Sequence, residues 1–365
     1  MINLVDEFRD GAQAKEAFVV LPVSRLELES RFRIGRFLFM PAGTINVTEL
    51  NIAKGPEIDD FEVQTDIAVM HGESLRQICS SMAAPSCEEL FAENAMIAFQ
   101  PESMCYKKTR TDHQDDVALL ASLSQEAERA LDYIRFHFCR FDLPETLPGV
   151  VGTWADSGAF CCGVIFDGNS GTSELIAGEA VLHSVVSKGL GLELQAGQCM
   201  DIESLPVPTD GEVGGIVQHA LYLFSDVMNA NTNTSKYLRL MTLIEFLAAP
   251  FSYQQFKQSK KDIAAHLAGS SIEYESFLEE FKQYSDLKDA VTGEQKGLRT
   301  LLVHHGRFLE DILPNERERA TLFLKLQGYL SKVIADLMKC KTQSWSEIIE
   351  FRKQRRTALS NAGTE

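Results

Sequence analysis

The sequence predicts an α+β protein, with a mixed, β-rich N-terminal domain over 1–210, an all-α helical bundle over 211–345 and a basic C-terminal tail over 346–365. Three observations lead there. Short runs rich in β-branched and aromatic residues, bounded by turn residues, are concentrated before residue 200. From about 216 onward one amphipathic helical pattern follows another. Charge is also split: 1–234 holds 15 Lys+Arg and 35 Asp+Glu, net −20, whereas 235–365 holds 20 and 17, net +3, which together give the formal −17.

The N-terminal strands are expected at 17–22 and 32–40. In the second, Arg31 and Arg33 alternate with Phe32 and Ile34, as on a half-exposed strand. Residues 73–92 read as one or two short helices. A longer helix is expected over 115–139, with apolar groups from Val117 to Phe138, ending before Pro144. Phe160–Phe166 and Ser173–Val186 flank Asp167-Gly-Asn-Ser-Gly171, a hairpin turn that lacks the Gly-Lys-Ser/Thr of a phosphate loop. The Pro- and Gly-rich stretch 204–215 is the expected linker. Helices then follow at 216–228, 236–249 (Ser235 as cap, Pro250 as stop), 253–267, 273–284, 286–305 and from Pro314 to Lys339. The tail Arg352-Lys-Gln-Arg-Arg356 is expected to fray.

Composition narrows the class. The chain is 45% hydrophobic with mean hydropathy −0.09, and no apolar run approaches the ~20 residues of a membrane helix. The acidic start Met-Ile-Asn-Leu-Val-Asp-Glu-Phe does not read as a secretory signal, so a cytoplasmic protein without membrane partners is expected. The eight cysteines are scattered, without a Cys-x-x-Cys pair, and read as reduced, mostly buried thiols. No metal or other cofactor is expected. The acidic half repels nucleic acid, while the C-terminal part can meet a phosphate backbone locally.

Chemistry concentrates in Gly297-Leu-Arg-Thr-Leu-Leu-Val-His-His-Gly306. On a helix spanning 298–311, Leu298, Leu301, Leu302, His305, Phe308 and Leu309 share one arc. Arg299, Thr300, His304, Arg307, Glu310 and Asp311 share the other. His304 on the polar arc is therefore the better chemical candidate, and Gly306 is a candidate helix terminator. Arg299 and His304 sit about 140° apart around the axis and about 7.5 Å along it, so one helix alone closes no tight pair. A local distortion or a second copy of the helix, in a symmetric dimer, would be needed. Such a site suits RNA cleavage. The ribose 2′-OH is an internal nucleophile, a neutral imidazole takes its proton, and a guanidinium stabilises charge on the phosphate.

Three stretches in order strengthen this reading: Ser235–Leu247 with its internal Glu245, the amphipathic Lys257–Leu267, and Leu298–Gly306 carrying Arg-x4-His. With the long helix after Pro314 they make residues 216–340 resemble the HEPN superfamily, especially its Apea-like branch. The resemblance implies a compact helical bundle, homodimerisation through it and metal-independent endoribonuclease activity in a toxin or anti-phage defence effector. It implies catalytic roles for Arg299 and His304, with Thr300, His305 and Glu245 in support and Arg307 as an RNA contact. His305 also fits the looser signature spacing. Active members commonly carry Asn, Asp or His where this chain has Thr300.

Two other readings stand beside this one. In the first, the bundle is a non-catalytic HEPN scaffold that binds a nucleotide, RNA or protein. In the second, the N-terminal domain is itself an enzyme using acidic groups such as Asp59, Asp60, Asp115 and Asp116 near His113, although these lack a recognisable ligand spacing. The N-terminal domain is otherwise expected to hold a regulatory partner.

Overall fold

The computed structural model describes residues 17–46, 63–64, 69–70, 87–102, 113–153, 162–167, 172–177, 191–204, 211–289 and 291–361. It is α+β, with an antiparallel sheet in the N-terminal region and a largely helical remainder. Contacts divide it into two units, one of 1–131 with 145–205 and the other of 132–144 with 206–365.

The first unit is built on strands β1 (Phe18–Val23), β2 (Leu26–Leu28), β3 (Phe32–Ile34) and β4 (Phe37–Met40). It adds a two-residue pair, β5 (Val63–Gln64) with β6 (Val69–Met70). Helix α1 (Cys87–Glu93), strand β7 (Ala95–Phe99) and helix α2 (His113–Phe138) follow, with α2 from residue 132 onward counted in the second unit. Next come β8 (Cys162–Asp167), β9 (Thr172–Ala177), β10 (Leu192–Leu194) and α3 (Ala196–Ser204). The six-stranded sheet runs β3-β4-β7-β1-β8-β9, antiparallel throughout, and β10 pairs in parallel with β2. Every residue of β1, β4 and β7 is buried, so these strands read as continuous apolar runs instead of alternating ones. One face gathers Phe18, Val20, Met40, Ala98 and Val164 beneath Leu90 and Phe91 of α1.

Two expectations change here. The single strand expected over 32–40 is a hairpin, because Gly35 takes φ 56° and reverses the chain. Of the helix expected over 73–92, the described part is α1, and 73–86 lies outside the described residues. The turn at 168–171 also lies outside them, although β8 and β9 on either side pair in register.

The second unit packs helices α4 (Gly211–Met228), α5 (Asn233–Ala248), α6 (Phe256–Leu267), α7 (Ser271–Tyr284), α8 (Leu298–His304) and α9 (Leu309–Ile312). It closes with α10 (Glu316–Lys339) and α11 (Trp345–Asn361). Thr232, not Ser235, caps α5: its hydroxyl accepts the Ser235 N–H at 3.1 Å. The helix stops at Ala248 because Pro250 disfavours helical geometry at Ala249. Gly211–Gly215, expected as linker, is already the first turn of α4. Cys139, Cys162 and Cys199 are buried, and burial raises the Cys139 thiol to about 11.

The expected frayed tail is a docked helix. Arg352 is only 2% exposed and donates to the Leu247 and Ala248 carbonyls, both at 2.9 Å, and to His266 Nε2 at 3.0 Å. The α5 C-terminus leaves carbonyls unpaired, and this guanidinium fills two of them. His266 accepts at Nε2, so its proton sits on Nδ1, 3.5 Å from Asp336 Oδ2. Burial above all, then the Arg352 charge, hold the imidazole below its ordinary value, against the pull of Asp336 and Asp262. The native state then binds fewer protons than the unfolded chain once pH drops below about 6.5, so stability falls with acidification. Urea midpoints should decrease from pH 7.5 to 5.5, and His266→Gln should flatten that slope; a slope unchanged by the substitution would assign it elsewhere. No helix among the described residues is long and apolar enough to cross a membrane.

Candidate functional site

The Arg–His segment is shorter than its sequence pattern. In place of a helix over 286–305, the chain first makes a hairpin-like excursion in which Lys288 bridges Gln295. Asp289 accepts the Val291 and Thr292 N–H groups at 2.9 Å and pairs with Lys296 Nζ at 2.6 Å. Thr292-Gly293 supplies the turn, with Gly293 at φ 68°. Helix α8 then runs for two turns and ends at His304; Gly306 beyond it takes a φ of 64° that suits glycine, and the Arg307 N–H closes on the Leu301 carbonyl at 3.2 Å.

Leu298, Leu301 and Leu302 are buried and anchor the helix. The N–H and the hydroxyl of Thr300 both donate to the Ser285 carbonyl at 3.1 Å, tying α8 to the end of α7. Arg299 Nη1 lies 2.6 Å from Glu245 Oε1 on α5. Its guanidinium carbon stands 5.8 Å from the Phe256 ring centre. The pair is about a third exposed, so it adds at most about 1 kcal/mol of stability; what it fixes is the direction of the guanidinium. Arginine has five N–H donors in a planar fork, so holding one carboxylate leaves donors for a second anion.

His304 is the last residue of α8 and is exposed. His305, expected on the apolar arc, is exposed as well, because the helix ends before that arc continues. Phe308 leaves the arc for the same reason and is 64% exposed, and Val303 on α8 is 51% exposed. Arg307 is exposed, and its Nη2 donates to the Asp311 carbonyl at 3.3 Å. The structure therefore brings Arg299 to Glu245, ties Thr300 to Ser285, and leaves His304, His305 and Arg307 in solvent at the helix end. In helical geometry the two signature side chains remain about 140° apart within one chain.

Ser285 and Phe256 were missed from sequence. Neither carries a local signal, since both meet α8 only through tertiary packing. Of the alternative acidic set, Asp115 and Asp116 occupy the first turn of α2, where carboxylates complement the helix dipole. His113 opens that helix, and Asp59 and Asp60 lie outside the described residues. Among the described residues no group of three or more His, Cys, Asp or Glu is arranged to hold a metal ion. Compared with family models, curated proteins and solved structures, the chain matches none of them.

Proposed function

We propose that this chain is a metal-independent HEPN-type endoribonuclease, working as a cytoplasmic homodimer in a toxin or anti-phage defence role. What carries the reading is Arg299: its guanidinium is held by Glu245 yet keeps donors in solvent, on the same short helix as the exposed His304. Exposed Val303 and Phe308 offer apolar area through which a second copy can bring its own α8 opposite the first. In the reaction, His304 accepts the 2′-OH proton as O2′ attacks phosphorus. The P–O5′ bond breaks, and a proton returns to the leaving oxygen. Arg299 neutralises charge on the non-bridging oxygens. The products are a 2′,3′-cyclic phosphate and a 5′-hydroxyl. His305 and Arg307 would contact the flanking strand. The acidic N-terminal half would keep RNA away until a regulatory partner engages it.

A second reading, a non-catalytic scaffold binding a nucleotide, RNA or protein, draws on one observation. The Thr300 hydroxyl, at the position where a polar partner of the reaction is expected, donates to Ser285 instead. Incubating the full chain with single-stranded RNA in EDTA separates the two, with mass in solution measured in parallel. Cleavage by a dimer is expected; a dimer that binds RNA and never cuts it would favour the scaffold.

A further inference from the structure

A second cationic site lies in the same unit, on helices α6, α7 and α11. A cleft of about 540 Å³ is lined by Lys261, Lys353, Arg356, Thr357, Tyr274 and Glu275, among others. That volume falls within the ~300–1,000 Å³ usual for small-ligand sites. Lys353, Arg356 and Thr357 are spaced i, i+3, i+4 and so share one face of α11. Arg356 is fixed from behind: its Nη1 lies 2.7 Å from Asp262 Oδ1, and the Asp262 side chain is only 10% exposed. The two lysines are not neutralised in this way. Lys353 reaches Glu350 only at 3.9 Å, and Lys261 has no ion pair among the described residues. The cleft thus sets three cations against one lining carboxylate, the exposed Glu275, while the Thr357 hydroxyl donates to the Lys353 carbonyl at 3.0 Å.

A solvated basic helix face would spread its charges outward; here they converge on a concavity, with one guanidinium pre-oriented. A planar fork and two ammonium groups match a compact dianion with several acceptor oxygens. We propose that this cleft binds a phosphate monoester, carried either by a free mononucleotide or by the 5′ end of an RNA. The proposal does not depend on the ribonuclease reading, because none of the Arg299 or His304 groups lines the cleft.

The test uses the full chain carrying Arg299→Ala, so that cleavage does not interfere. A 3′-labelled RNA with a 5′-phosphate is compared with the same RNA ending in a 5′-hydroxyl by fluorescence anisotropy, and AMP is titrated directly and as a competitor. Phosphorylated RNA should bind about tenfold more tightly, the scale of a lost charge-assisted contact. Lys261→Glu with Lys353→Glu should erase the difference. AMP that binds and competes assigns the free nucleotide; preference for phosphorylated RNA without AMP binding assigns the RNA end. Equal affinity for both RNAs together with no AMP binding overturns the proposal, as does binding unaffected by the charge reversals. Should the double variant lose its helical circular dichroism, Lys261→Gln with Lys353→Gln replaces it, with the same loss expected.

Discussion

His304→Ala is expected to lower RNA cleavage by roughly 10²–10⁴-fold, the usual contribution of a positioned general base. Arg299→Ala should cost a similar order, roughly 10²–10³-fold, because it removes the donors aimed at charge developing on the phosphate. These losses would not come from unfolding. His304 is exposed at the end of α8, so truncating it removes no packing. Arg299 forfeits only a partly exposed ion pair, about 1 kcal/mol at most. Initial rates on a labelled RNA in EDTA, with urea midpoints measured alongside, check both statements. Full activity in either variant with an unchanged midpoint would move the chemistry away from this helix. Mixing the two inactive variants adds information about geometry: recovered activity would mean that Arg299 of one copy works with His304 of another.

The largest stability effect is expected at Arg352. Its guanidinium closes the end of α5 through Leu247 and Ala248, meets His266 at 3.0 Å and stacks over the Trp345 ring at 4.8 Å. Arg352→Ala strands two carbonyls and an imidazole acceptor in a dry interior and leaves a void, a loss of about 3–5 kcal/mol. For a unit of this size that is about 10 °C in melting temperature. Arg352→Lys should recover part of it, since an ammonium can reach one acceptor but cannot reproduce the fork. Thermal unfolding followed by near-ultraviolet circular dichroism reads the change. A shift below about 1 kcal/mol would contradict a buried, triply bonded arginine.

The contrast between α5 and α11 explains what the amino-acid pattern revealed. Helices α5, α6 and α10 were legible because apolar residues recur with helical spacing and Pro250 or Pro314 punctuates their ends. Helix α11 was not legible: two of its buried positions are Ile348 and Leu359, but another is Arg352 within Arg-Lys-Gln-Arg-Arg, a run that looks solvated. Its partner groups at Leu247, Ala248 and His266 lie far back in the chain. The break of the expected 286–305 helix had a local cause, Thr292-Gly293, that the flanking apolar pattern outweighed. At the candidate site Arg299 and His304 stand out by type and spacing. Ser285 and Phe256 reach α8 only through the fold, as do the widely separated segments that line the cationic cleft.

The ribonuclease proposal is tested most directly by the ends it leaves. An oligonucleotide with a single ribonucleotide in an otherwise 2′-deoxy strand is incubated with the chain in EDTA, and its products are identified by mass. The expected result is one cut, 3′ to that ribonucleotide, giving a 2′,3′-cyclic phosphate and a 5′-hydroxyl. Products ending in 5′-phosphate, or cuts at deoxynucleotide positions, would contradict 2′-OH attack driven by His304 and Arg299.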